Sequence, residues 1–302
     1  MTITARHALV TDGSRGIGRG IALKLADHGV HVAISYVKDE ASAKATLQQV
    51  RSRGADGFTV QADISEPAQV EPLFSRVRSE FESLDIFVAN ARPEVGAFYQ
   101  PPMSIGLEQW DAAMNSQAKS FLIGVREADK LMPDNGRIIA ISYAPGGRFG
   151  SWQSWVGMGA AKSALETLCR YFAVALAPRG ITVNTISPGW IDDSVLNTLP
   201  GPVVQMIHDH HRNGWTPMRR FGTPADIGNA VTLLCSNEAA WITGQLIAVD
   251  GGMGLPALVW RGPPEGDLDY LSRRDRTRRR AAMIRLVRHD GAVNRIEIEV
   301  GQ

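Results

Sequence analysis

Short apolar runs alternate along this chain with longer stretches in which apolar residues return every three or four positions. His7-Ala8-Leu9-Val10-Thr11 reads as a first strand, followed by a glycine-rich turn and a helix to about His28. Val32–Ser35, Phe58–Gln61, Asp85–Ala89, Arg137–Ile141, Thr182–Ile186 and Leu246–Val249 read as six further strands, with helical spacing near 40–54, 66–82, 108–131, 157–177 and 224–236. Strands that are continuous apolar runs, each separated from the next by a helix, predict a parallel sheet buried on both faces. That is the doubly wound α/β architecture. After Gly254 the pattern changes to two alternating runs, Met283–Arg288 and Arg295–Val300, joined through Asp290-Gly291. These read as a β-hairpin, so the expected organisation is one α/β domain over 1–254 and an extension over 255–302.

Composition narrows the class. A chain of 302 residues with 44% apolar content is long enough for one large α/β domain. Its formal charge of +1 argues against a nucleic-acid surface on the main body. The excess of positive charge sits in the tail, where residues 261–302 carry ten arginines against seven carboxylates. Cys169 and Cys235 lie in helix-like apolar patterns and give no disulfide framework. The start is too polar for a signal peptide, and no apolar run approaches the ~20 residues that span a bilayer. A cytoplasmic protein that contacts no membrane is expected.

The first strand runs into Thr11-Asp12-Gly13-Ser14-Arg15-Gly16-Ile17-Gly18 and then a helix. Small residues at that point let backbone amides approach a diphosphate at a helix N-terminus, where the helix dipole favours the anion. The second strand ends at Ser35-Tyr36 instead of the carboxylate that would accept a free ribose 2′-hydroxyl, and Arg15 and Lys38 stand close enough in sequence to pair with a 2′-phosphate. NADPH is expected over NADH; the competing reading makes both cations ordinary surface charges.

Over residues 5–254 these motifs resemble the short-chain dehydrogenase/reductase superfamily, whose fold is a Rossmann-type doubly wound seven-stranded parallel sheet. The resemblance rests on the Thr11–Gly18 turn, Ala62-Asp63-Ile64, Asn90-Ala91, Asn115, Lys162, Ser187-Pro188-Gly189, and Thr243-Gly244-Gln245 leading to Val249-Asp250-Gly251-Gly252. By resemblance, Asp63 contacts adenine, Asn90 shapes the cofactor pocket, and Asn115 supports a proton-relay water. Lys162 holds the nicotinamide ribose, and Ile64, Ala91, Pro188, Gly189 and Ile191 are expected among the cofactor-binding residues.

The departures concern the chemistry. Asp12 replaces a glycine beside the expected phosphates, Arg92 replaces the usual glycine after Asn90-Ala91, and Asp193 stands where a threonine is common. Ketoreductases of the superfamily carry a tyrosine four residues before the lysine; here that residue is Met158, which has no proton to give. Enoyl-thioester reductases instead place it seven before, often with a second tyrosine after the fifth strand. Ser142-Tyr143 and the run Met158–Glu166 resemble that branch, with Trp155 at the seven-before position. Hydride addition to an enoyl thioester leaves an enolate, which needs a hydrogen-bond donor more than an immediate proton. The expected mechanism has NADPH delivering hydride to the β-carbon, Tyr143 holding or protonating the enolate oxygen and Lys162 on the ribose; Ser142, paired with Tyr143, and Trp155, whose indole N–H can donate but not act as an acid, complete the candidate catalytic residues.

Two other classes stay open: a non-redox cyclase or isomerase using the same pocket, and a catalytically degenerate cofactor-binding scaffold. Segments 92–103 and 190–215 are expected to wall the substrate pocket. His208, His210 and His211 read as helix-surface residues and no metal site is expected. The helix over 157–177 is apolar on more than one side, and the resemblance implies that it pairs across a homodimer or homotetramer. The arginine-rich tail is expected to dock an acidic carrier, to cover the site, or to be a solvated extension. Substrate, whether free or carrier-bound, is not legible.

Overall fold

A computed structural model of the chain describes residues 1–92, 102–143, 155–192, 201–255, 283–289 and 292–299. Seven parallel strands, β1 (His7–Val10), β2 (His31–Tyr36), β3 (Gly57–Gln61), β4 (Ile86–Ala89), β5 (Arg137–Ile141), β6 (Thr182–Pro188) and β7 (Leu246–Val249), stand in the order β3-β2-β1-β4-β5-β6-β7. The order reverses between β1 and β4, which opens a crevice at the carboxyl ends of those two strands.

Strand periodicity divides the core cleanly. Ala8, Val10, Val32, Ile34, Ile86 and Val88 face one apolar layer, while Leu9, Ala33 and Phe87 face the other. The first layer is covered by α1 (Gly16–Ala26), α2 (Glu40–Arg51) and, after further helices, α8 (Pro224–Cys235). The second is covered by α3 (Val70–Phe81), α5 (Ser120–Asp129) and α6 (Val156–Leu176). Because both faces are covered, the inner strands are buried along almost their whole length, including the polar Asn184 and Thr185 of β6. The edge strands β3 and β7 are only partly buried, since each has a neighbour on one side.

Three helical features differ from the reading of the sequence. The expected helix over 108–131 is α4 (Leu107–Met114) and α5 joined by a π turn, Asn115–Lys119. A 3₁₀ turn over Pro67–Gln69 precedes α3, because a proline cannot supply the interior amide. The segment 201–215, expected as part of a pocket wall with its histidines on a helix surface, forms α7 (Gly201–His210) and, unlike the expectation, a second π turn, His211–Trp215.

The chain divides into two compact units, Met1–Pro256 and Ala257–Gln302. In the second, β8 (Met283–His289) and β9 (Ala292–Glu299) pair antiparallel with a register shift between Val287 and Arg288. These strands coincide with the two alternating runs of the sequence. The Asp290-Gly291 corner and the arginine cluster at 273–280 lie outside the described residues.

Candidate active site

The turn between β1 and α1 is held by its own backbone and by three neighbouring elements. Gly13 N–H donates to the Ser35 carbonyl at 3.1 Å, and the Thr46 hydroxyl of α2 donates to the Ser14 carbonyl at 2.8 Å. The Thr11 hydroxyl oxygen accepts from both Asn90 N–H (2.9 Å) and Ala91 N–H (3.0 Å), while Asn90 Nδ2 donates to the Thr11 carbonyl at 2.9 Å. Thr11 and Asn90 thus stitch β1 to the end of β4, and the predicted pocket-shaping role of Asn90 has a backbone-holding component. A Cβ on Gly18 would sit 2.2 Å from the Asp12 carbonyl oxygen and 2.6 Å from Asn90 Nδ2, so position 18 admits only glycine. Arg15 is the exposed, extended N-cap of α1, with no side-chain cap bond and no acidic residue in the first turn of the helix. Gly16 and Ile17 follow it. An uncapped N-terminus free of carboxylates fits an anionic diphosphate.

Asp12 is the contrary group. It holds a left-handed φ of 49° where glycine is usual. Its carboxyl is raised to about 6 by burial, against the opposing pull of Arg15 and Arg92. Ser35, expected near the 2′-phosphate, is buried and accepts a hydrogen bond from Asp12 N–H at 3.1 Å. Tyr36 is buried beside it, and Lys38 is exposed. Hydrogen bonds from Ser42 hold Asp39 below the usual carboxylate range, and Arg15 adds to that effect. Arg15 therefore acts on both the turn and the end of β2, where a 2′-phosphate would need a cation. Asp63 Oδ1 accepts from the Ser65 hydroxyl at 2.6 Å and the Ser65 N–H at 2.9 Å, which fixes the carboxylate next to Ile64.

Across the crevice, β5 and α6 build the reacting side. Lys162 is 4% exposed and donates to the Ile141 carbonyl. Burial pushes its ammonium down to about 7; Arg92 adds to that and Glu166 opposes it. Ser142 Oγ donates to Glu166 Oε1 at 2.5 Å in the protein interior. Ser142, expected among the catalytic residues, is thus engaged by Glu166 and ties the end of β5 to α6. Glu166 was not selected from the sequence, although its position one turn after Lys162 places both on one helix face.

The Tyr143 phenol lies over the first turn of α6. A Cβ on Gly159 would come within 3.2 Å of the phenol oxygen, and the ring stands 5.9 Å from that of Trp155, tilted by 58°. Burial and then the Glu166 carboxylate raise the phenol to about 12, so it is a protonated donor at neutral pH. Met158 is 4% exposed and fills the core beside it. Asn115 opens the π turn of the α4–α5 helix, and Gln117 Nε2 in the same turn donates to the Ala91 carbonyl at 3.2 Å. A π turn breaks the regular ladder at the position where Asn115 was assigned its relay role.

The far wall follows β6. Gly189 N–H donates to the Val249 carbonyl at 3.1 Å, directly after Pro188, and Ile191 pairs with Gly222 in an isolated parallel bridge. The histidine expectation needs correction. His211 is buried, its Nδ1 lies 2.5 Å from Thr216 Oγ1, and burial lowers it to about 4. Trp190, Trp215 and Phe221 surround its ring. It is a core histidine in an aromatic cluster. Among the described residues no group of three His, Cys, Asp or Glu is placed to hold a metal. Both cysteines are free and buried, with thiols pushed up to about 12 by burial. The pocket-wall residues 93–101 and 193–200, and the segment 144–154 that contains Trp152, lie outside the described residues.

Known proteins share this arrangement. The family described as enoyl-(acyl carrier protein) reductase matches residues 13–254. The 1-cyclohexenylcarbonyl-CoA reductase of Streptomyces collinus is 35% identical over 254 residues, covering 83% of this chain and 87% of that protein. The 3-oxoacyl-acyl-carrier-protein reductase FabG of Staphylococcus aureus is 34% identical over 250 residues, covering 82% and 98%. The angucycline C-6 ketoreductase LanV with bound NADP superimposes with a TM-score of 0.74 at 33% identity, covering 83% of this chain and 96% of that one. Among the described residues no helix is long and apolar enough to cross a membrane.

Proposed function

The chain belongs to the short-chain dehydrogenase/reductase superfamily and is an oxidoreductase of it, and from that premise we propose that it reduces the polarised carbon–carbon double bond of an enoyl thioester, free or carrier-bound, with NADPH. The observation that carries this reading is the exchange of roles between β5 and α6. Met158 has no acidic proton, whereas the Tyr143 phenol, protonated at neutral pH, lies over the first turn of α6. Reduction of a ketone leaves an alkoxide that demands a proton at once; reduction of an enoyl thioester leaves a delocalised enolate that a hydrogen-bond donor stabilises.

NADPH, when bound, supplies hydride. The rest falls to this chain: the uncapped start of α1 and Arg15 would hold the phosphates, Thr11 and Asn90 join β1 to the end of β4, and Lys162, bonded to the Ile141 carbonyl, would hold the ribose. Tyr143, braced against Trp155, holds the enolate oxygen. The match to the enoyl reductase family and the kinship with a relative named for an alkenylcarbonyl thioester support the reading. FabG and LanV are named for keto chemistry, so the two substrates must be compared directly. We assign the exposed Tyr171 and Val174 of α6, opposite its buried face, to a contact with a second copy.

The test is NADPH oxidation with crotonyl-CoA and, in parallel, acetoacetyl-CoA. Turnover of the enoyl ester, with a loss of about 10²-fold or more on Tyr143→Phe, is expected. Preferential turnover of the ketoester, or an unaffected Tyr143→Phe enzyme, rejects the proposal.

A further inference from the structure

Asp12 is a charge that the proposed function does not explain. Its main chain is pinned on both sides: the N–H donates to Ser35 Oγ of β2 at 3.1 Å, and the carbonyl accepts from Asn90 Nδ2 after β4 at 3.3 Å. The turn therefore cannot relax to carry the carboxylate away. Arg15, in the same turn, and Arg92, after β4, are the charged groups that act on it among the described residues. β2 and β4 present only the neutral Ser35 and Asn90 to its backbone.

We propose that Asp12 sets the affinity for the dinucleotide through its own protonation: the diphosphate enters the turn as the Asp12 carboxylate takes a proton from solvent, so one proton is carried in with the cofactor. This rests on the reading of the Thr11–Gly18 turn as the NADPH site.

Two effects act in the same direction. An arriving diphosphate competes for Arg15, which stands exposed at the N-cap of α1, and so removes a cation that keeps Asp12 ionised. It also brings its own negative charge to the same turn. One unit charge at ~6 Å, in the effective dielectric of a protein surface, moves a titration midpoint by about two pH units. With the free carboxyl at about 6, the bound form then titrates near ~8, and at pH 7 the free enzyme is mostly charged while the complex is mostly neutral. Affinity consequently rises as pH falls.

The test is calorimetric titration of the full-length protein with NADPH at pH 6.5, 7 and 8, each in two buffers of different protonation enthalpy, for wild type, Asp12→Asn and Asp12→Gly. Both substitutions suit a left-handed residue. The 2′-phosphate titrates near ~6 itself, so the readout is the difference from Asp12→Asn. Wild type is expected to lose about tenfold more affinity than Asp12→Asn between pH 6.5 and 8, to take up about 0.8 more protons per NADPH at pH 7, and to bind tens of times more weakly than either variant at pH 8. Equal pH slopes and proton counts in wild type and Asp12→Asn, with binding intact, overturn the role of Asp12 and leave the cofactor reading standing. Absence of NADPH binding by all three proteins at every pH overturns the cofactor reading and this inference with it.

Discussion

The two sides of the crevice differ in one buried side-chain pair. On the nucleotide side, Thr11, Ser35, Thr46 and Asn90 bond to main-chain groups of neighbouring elements. On the other side Lys162 likewise bonds to main chain, the Ile141 carbonyl, but Ser142 pairs with the Glu166 carboxylate, side chain to side chain. A scaffold built on main-chain contacts keeps its shape when one side chain changes, so an aspartate can stand in the glycine turn at an electrostatic cost alone. A site built on side-chain pairs loses its chemistry when a member changes, unless another element supplies the missing group. In the proposed mechanism Tyr143, two residues after β5, supplies the phenol that Met158 lacks.

Replacing Tyr143 by Phe breaks this contrast most directly. Turnover should fall by about 10²- to 10³-fold with NADPH affinity unchanged, because only the transition-state donor is lost. A parallel fall in cofactor affinity, measured by calorimetry, would show that the two sides are not separable.

Asp12→Gly should act on the nucleotide side alone, and it should stabilise. A carboxyl raised from 3.8 to about 6 contributes stability that is whole below pH ~4 and is lost as pH rises through about 6. Urea unfolding at pH 7.5 should show the variant more stable by up to about 3 kcal/mol, and that advantage should shrink to the backbone contribution of under ~1 kcal/mol at pH 4. An equal gain at both pH values would make the effect conformational.

Glu166→Gln probes the reacting side from within. It removes a charge-assisted hydrogen bond from Ser142 and should cost about 1.5–3 kcal/mol in urea unfolding. Because Glu166 opposes the burial that lowers Lys162 to about 7, the variant should also move the alkaline limb of the pH–rate profile to lower pH. Glu166→Asp should partly restore the profile. Loss of stability with an unmoved profile would reduce Glu166 to packing.

Ser35→Ala is the mildest change. It leaves Asp12 N–H without its acceptor and should cost about 1 kcal/mol, with weaker NADPH binding and an unaltered kcat. A lowered kcat would contradict the separation of the two sides.

Much of this molecule was legible from residue order. Seven apolar-rich runs at helical intervals named all seven strands, because strands that pack on one or both faces of a covered sheet keep few polar positions. Trp190, His211 and Phe221 show the opposite case. The histidines of 208–211 read as surface groups, yet His211 is buried because a π turn rotates it into an aromatic cluster supplied by three separate segments. Glu166 was passed over because a glutamate on a helix is ordinarily solvated, and only Ser142 arriving from β5 makes it a buried partner.

By itself the sequence determined the sheet, the glycine-rich turn after β1 and the absence of an acidic proton at 158, since each depends on residues adjacent in the chain or spaced by a helical or strand period. Only the tertiary structure decided what Asp12, Ser142, Tyr143 and Lys162 do. Their charge and proton states follow from burial and from partners tens of residues away, and distances across a sheet are not written in sequence separation.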